Sequence, residues 1–174
     1  MAENKLCLLD RDGVLNVEKD YLHKAEDVEW IPDSLEAIAW LNRQGFQVVV
    51  VTNQSGVARG FFSEDDVREL HDWMASEVKK SGGDIAAFYY CPHLPGATVK
   101  QYDVDCRCRK PKPGMILQAL NDFKVLPDDA FLIGDNPRDA EAAEAARLRG
   151  FLYTGGSLLD LVQRIVKNKA VAQD

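Results

Sequence analysis

The chain has 174 residues, 46% hydrophobic and 28% charged, with 12 glycines and 7 prolines. That length suits a single domain, 1–174, with a core around a central sheet, and the composition excludes disordered, fibrous and low-complexity classes. A formal net charge of -7 argues against general nucleic-acid affinity, which rests on Lys and Arg displacing counterions. An anionic small molecule would have to be attracted locally.

Met1–Lys5 runs directly into the apolar stretch Leu6–Leu9, too short for a signal-peptide core or a membrane span. A cytoplasmic location with no membrane partner is therefore expected, and the stretch reads as the first strand. Val14–Ile31 follows, longer than a usual connection. Asp33–Gln44 reads as a helix, with Pro32 before it, apolar Leu35, Ile38, Ala39 and Leu41 inside it and Gly45 as its stop. Phe46–Val51 is the second strand. Ser63 with Asp66 forms a capping pair that opens a helix running to about Lys80. Ala86–Tyr90 is the third strand, and Pro92–Lys112 the second long loop. Pro113 and Pro137 stand at the first turns of two helices on either side of the fourth strand, Ala130–Ile133. Phe151–Tyr153 is the last strand, and a helix from Leu158 to about Lys167 precedes a polar tail expected to fray. Strand-length apolar runs alternating with helical segments predict an α/β fold, a doubly wound parallel sheet covered on both faces. Such sheets bind ligands outside the carboxyl ends of their strands.

Leu9-Asp10-Arg11-Asp12-Gly13 sets two carboxylates two residues apart where the first strand runs out. In extended chain these point the same way. Two ionised carboxylates that close repel, so the pair calls for a cation or a proton and permits a division of labour between nucleophile and acid. Alone, the segment could also be a loop turn. Thr52-Asn53-Gln54-Ser55 ends the second strand with hydroxyl and amide donors suited to phosphoryl oxygens, or with a plain polar turn. Asp135 follows the fourth strand in Ile133-Gly134-Asp135, while Asp139 could serve only to cap the next helix. Lys110, in Arg109-Lys110-Pro111, offers a point charge for phosphate, or belongs to a solvated basic run.

Of the four cysteines, Cys7 sits in an apolar strand and reads as a core residue. Cys91, His93, Cys106 and Cys108 form a set that zinc takes tetrahedrally, with a disulfide as the alternative.

Asp10-x-Asp12-Gly13, Thr52-Asn53, Lys110 and Gly134-Asp135 occur in the order and strand context of the haloacid dehalogenase superfamily, which the chain resembles. More narrowly, from about Leu6 to Tyr153 it resembles the bacterial D-glycero-D-manno-heptose 1,7-bisphosphate 7-phosphatases and the related histidinol-phosphate phosphatases. The specific phrases are Thr52-Asn53-Gln54-Ser55-Gly56-Val57-Ala58-Arg59-Gly60, Cys91-Pro92-His93 and Cys106-Arg107-Cys108-Arg109-Lys110-Pro111. The segment Phe151–Ser157 departs from the Val-rich, Arg-Thr-Gly ending of the heptose group, which leaves substrate and anomer open.

The resemblance implies a Rossmann-like phosphatase without a cap domain, with a zinc-binding loop at about 91–108 and a small phosphorylated sugar as substrate. A monomer is expected. By the same resemblance Asp10 is the nucleophile, Asp12 the general acid and base, and Thr52 and Lys110 hold the phosphoryl group. Magnesium would be held by Asp10, Asp12 and Asp135, and structural zinc by the Cys3His set. Glu18, Lys19, Asp20, Tyr21, Thr52, Asn53, Gln54, Ser55, Arg109, Lys110 and Asn136 would bind substrate. Asp139 would orient Lys110, and Arg59, Arg109 and Lys19 could supply a second basic patch for a bisphosphate. A receiver-like phospho-switch shares the acidic pair, Thr and Lys, but carries its phosphorylated Asp on the third strand, where this chain has Tyr90.

Overall fold

Five apolar runs become five parallel strands: β1 (Lys5–Leu9), β2 (Phe46–Asn53), β3 (Ala87–Cys91), β4 (Ala130–Gly134) and β5 (Arg149–Leu152), joined in the order β3-β2-β1-β4-β5. The structure is a computed structural model and describes residues 3–171. Helices α1 (Ser34–Arg43), α2 (Glu64–Lys80), α3 (Gly114–Phe123), α4 (Pro137–Ala145) and α5 (Leu158–Val171) connect or follow the strands. All five expected strands are present. The last helix continues past Lys167 to Val171, and the end of the polar tail, 172–174, lies outside the described residues.

The two-residue period of a strand separates two cores. Cys7, Leu9, Val48, Val50, Phe131 and Ile133 face Ile38 and Leu41 of α1 and Leu158 and Val162 of α5. Leu6, Leu8, Val49, Val51 and Leu132 face Ile116 and Ala119 of α3 and Ala142 and Ala143 of α4. Truncating one of these fully buried leucines to alanine costs roughly 2–5 kcal/mol, so the sheet is a firm base for whatever its strand ends carry.

Tertiary context adjusts the helix starts. Asp33 adopts the left-handed region at φ 62°, and α1 begins one residue later at Ser34. The Asp33 carboxylate serves α5 instead, accepting from Ser157 Oγ and from Leu158 N at 3.0 Å. Pro113 lies just outside α3, as its flanking cap. The Ser63–Asp66 capping box forms as expected, a feature worth about 1 kcal/mol. Among the described residues no inserted domain interrupts the fold. The segment between β1 and α1 carries one 3-10 turn, Ala25–Asp27, and the segment between β2 and α2 has no regular element.

Candidate active site

In this strand order the chain reverses direction across the sheet at β1, so the ends of β1, β2 and β4 border one crevice, where α/β sheets bind ligands. Asp10 continues β1, its N–H donating to Ile133 O at 3.0 Å. Asp10 as a whole is 7% exposed. Lys110 is 2% exposed; its Nζ lies 3.1 Å from Asp10 Oδ1 and 2.6 Å from Asp139 Oδ1, and donates to Val51 O at 2.9 Å. No strand carries Lys110. Asn53 positions it, its side-chain amide accepting from Lys110 N at 3.0 Å and donating to Lys110 O at 3.1 Å. Thr52 Oγ1 is buried and accepts from Gln54 Nε2 at 2.8 Å.

Burial pushes the Asp10 carboxyl up to about 7; Lys110 opposes this, and the neighbouring carboxylates Asp139 and Asp135 add to it. Burial pulls the Lys110 ammonium down, but Asp10 and Asp139 outweigh it and the net shift is upward. One cation thus serves a crowd of acids. Asp139 has both roles considered from sequence: Oδ1 faces Lys110, and Oδ2 accepts from Asn136 N at 3.1 Å in a capping box that opens α4.

Two glycines make this packing possible. A Cβ on Gly134 would lie 2.2 Å from Asp139 Cβ. One on Gly13 would lie 2.0 Å from Asp135 Oδ2, and Gly13 has φ +86°. The Asp135 carboxylate therefore rests directly on the backbone that follows Asp12. Carboxylate oxygens of Asp10, Asp135 and Asp139 come within 4.8 Å of one another. Since Asp139 is committed to Lys110, hard oxygens of Asp10 and Asp135 remain, a donor set that fits magnesium rather than a soft metal.

Asp12 accepts only donors: Arg11 on both oxygens, Asn16 Nδ2 on Oδ1 at 3.0 Å and Gln54 Nε2 on Oδ2 at 3.2 Å. Beside it opens a cleft of 270 Å³ lined by Asp12, Glu18, Asp20, Tyr21, Asn53, Gln54, Ser55, Gly56, Arg59, Arg109 and Arg138. A larger cleft of 720 Å³, between His23–Glu26 and Asp66–Leu70, lies away from the strand ends and gathers no buried acid and base. Burial first, then the charge of Asp12, raises the Glu18 pKa; burial and then Arg138 lower that of Arg109. Asp20 and Tyr21 hold φ 32° and 64°, positions that cost of order 1–3 kcal/mol each and concentrate at functional loops.

Not every expected residue lines this cleft. Lys19 turns away, donating to Asp27 O at 3.0 Å and pairing with Glu29 at 3.3 Å. Asn136 spends its Oδ1 on Arg138 N at 3.1 Å, capping α4. Sequence reading missed Arg11, Asn16, His71 and Arg138. A charged residue closing an apolar strand, as Arg11 does, was the one available signal; the others become neighbours only through the fold.

Cys91, His93, Cys106 and Cys108 converge with all four ligand atoms within 4.8 Å of one another; the three sulfur pairs stand 3.0–3.5 Å apart, and His93 Nδ1 lies 3.6 Å from Cys91 Sγ and 3.5 Å from Cys108 Sγ. All four cysteines of the chain are free, and none of these sulfur pairs is at disulfide distance. A tetrahedron with ~2.3 Å metal–sulfur bonds has edges of about 3.8 Å, so the cluster needs only slight expansion to hold zinc. Its loop is tied to the site. Arg109 N donates to Cys106 Sγ at 3.3 Å and Arg109 Nη1 to His93 O at 3.4 Å. Glu64 of α2 accepts from Tyr90 and Tyr102 hydroxyls, both at 2.8 Å, bracing the loop from the other side.

Comparison with known proteins agrees with this geometry. A family model described as HAD-hydrolase-like matches residues 107–174. The chain is 44% identical over 160 residues to the D-glycero-beta-D-manno-heptose-1,7-bisphosphate 7-phosphatase of Rhodopseudomonas palustris, covering 92% of this chain and 89% of that protein. It is 40% identical over 153 residues to a Photorhabdus laumondii phosphatase named for the alpha anomer, covering 87% and 84%. The D,D-heptose 1,7-bisphosphate phosphatase of B. bronchiseptica, solved with magnesium and phosphate, superposes with a TM-score of 0.81 at 32% identity over 94% of this chain and 99% of that one. The chain belongs to the HAD-like phosphatase family that includes these heptose-1,7-bisphosphate 7-phosphatases.

Proposed function

We propose that this protein is a magnesium-dependent phosphomonoesterase that removes the 7-phosphate of D-glycero-β-D-manno-heptose 1,7-bisphosphate through an aspartyl-phosphate at Asp10. The observation that carries the reading is the buried Asp10–Lys110–Asp139 assembly beside Asp12 at the sheet's crevice. Relatives bearing the heptose name at 40–44% identity support the substrate over histidinol phosphate, and the β-named relative above, at 44% against 40% for the α-named one, is the reason for proposing the β anomer.

In the first step a carboxylate oxygen of Asp10 attacks phosphorus in line, and the bond from phosphorus to the sugar oxygen breaks as Asp12 gives that oxygen a proton. Lys110, held by Asn53, and the Thr52 hydroxyl neutralise charge on the equatorial phosphoryl oxygens. In the second, Asp12 takes a proton from a water that attacks the same phosphorus, releasing inorganic phosphate and regenerating Asp10. Bound magnesium, held by Asp10, Asp135 and the Asp12 backbone carbonyl, would supply the positive charge that these carboxylates and the phosphate together require. Arg59, Arg109 and Arg138 at the cleft would receive the distal phosphate. Zinc in the Cys3His cluster would be structural: four protein ligands leave no place for an activated water, and its benefit is to fix Arg109 and Lys110.

No helix among the described residues is long and apolar enough to cross a membrane. A small, water-soluble sugar bisphosphate as substrate supports a cytoplasmic location. The test is phosphate release, with magnesium, from both heptose 1,7-bisphosphate anomers, fructose 1,6-bisphosphate and histidinol phosphate. A kcat/KM preference of at least about tenfold for the β heptose, ~1.4 kcal/mol, is expected. Preference for histidinol phosphate would refute the substrate assignment.

A further inference from the structure

Arg11 is 1% exposed, a guanidinium sealed inside the protein between the two catalytic acids in sequence. Removing such a charge from water costs several kcal/mol unless its N–H groups are matched. The matches are specific. Nε and Nη2 donate to Asp12 Oδ1 at 3.2 and 3.0 Å, and Nη2 also to Asp12 Oδ2 and Leu22 O, each at 3.0 Å. Nη1 lies 3.2 Å from His71 Nε2. A guanidinium can only donate, so His71 Nε2 accepts and the ring proton resides on Nδ1. The ring is 4% exposed and stacked on Phe88 of β3, centroids 4.4 Å apart. Burial first, and then the Arg11 charge, drive the His71 pKa down to about 2, which keeps the ring a neutral acceptor.

Three layers thus end on one carboxylate: Phe88 fixes His71, His71 fixes Arg11, and Arg11 fixes Asp12. We propose that Arg11 and His71 are positioning residues for Asp12, holding its carboxyl in the one orientation from which it reaches the leaving oxygen. The idea deepens the phosphatase reading above and rests on it. A fork-shaped guanidinium sets the plane of a carboxylate, not merely its place. A lysine or a hydrophobic residue at position 11 could hold the loop but not that plane.

The consequence depends on the leaving group. A sugar alkoxide departs only as it is protonated, whereas p-nitrophenolate departs unaided, so a misaligned Asp12 harms the first far more. Since kcat/KM reports steps through the first irreversible one, transfer of phosphate to Asp10, it isolates this effect from later hydrolysis. We expect His71→Leu and Arg11→Met to lower kcat/KM on the wild type's best sugar bisphosphate by about 10²-fold, the scale of an ångström of misplacement. On p-nitrophenyl phosphate the fall should be smaller by about tenfold or more. His71→Gln, which retains an acceptor for Nη1, should recover most of the sugar-phosphate activity. Equal losses on both substrates, or no loss on either, would overturn the proposal. A wild type that hydrolyses neither substrate with magnesium would refute the phosphatase reading and this proposal with it. Should the variants fail to fold, ¹⁵N NMR of the wild-type protein decides. His71 is expected as the Nδ1–H tautomer, and an Nε2–H tautomer overturns the chain of contacts.

Discussion

Gly13→Ala tests whether the acid pair and Asp135 form one site, because the substitution adds a single methyl at their meeting point. The new Cβ would stand 2.0 Å from Asp135 Oδ2 and 2.5 Å from its Cγ. Ordinary contact is nearer ~3.5 Å, so the carboxylate must retreat by more than about 1 Å. The backbone at φ +86° adds a left-handed cost of roughly 1–2 kcal/mol for any residue with a side chain. Two separable outcomes are expected. Urea denaturation should show stability lower by about that amount. Steady-state assays should show a kcat/KM fall on the order of 10²-fold together with a higher magnesium concentration for half-maximal rate, since Asp135 no longer faces Asp10. Unchanged magnesium dependence, with only the stability loss, would refute the claim that Gly13 exists to seat the Asp135 carboxylate.

Asp10→Asn should abolish turnover and also flatten the pH dependence of stability. The folded-state pKa of about 7 stands above the usual 3.8, so the folded protein binds the extra proton, and without metal its stability falls as pH rises from about 4 to about 7. Parallel urea curves for wild type and variant across that window would contradict this. Lys110→Met leaves Asp10 and Asp139 buried without their cation, which should cost roughly 3–5 kcal/mol in chemical denaturation; a loss below about 1 kcal/mol would show that the pair is solvated. Cys108→Ser should lower the zinc content measured by atomic absorption from about one per chain and raise KM or destabilise the loop, while magnesium remains essential. Turnover sustained by zinc alone would reverse the roles given to the two metals.

The strands and the polar side chains at their tips were legible in sequence because both depend on local order. Buried parallel strands read as apolar runs, and Asp10, Asp12, Thr52 and Asp135 follow such runs directly. The Cys3His grouping was legible for the same reason, two short phrases each carrying two ligands. What only the tertiary structure decided is how side chains far apart in sequence share charge. Asp33 reads as the start of α1 yet caps α5, because the two helices pack on the same face of the sheet. Lys19, next to residues that line the cleft, is drawn off by Glu29, while Arg138, which reads as a first-turn helix residue, turns into the cleft. His71 sits sixty positions from Arg11, in a helix whose periodicity marks it as one more core-facing residue. A guanidinium chooses its acceptors by distance and angle in space, so no reading of neighbours along the chain could have joined Arg11 to His71.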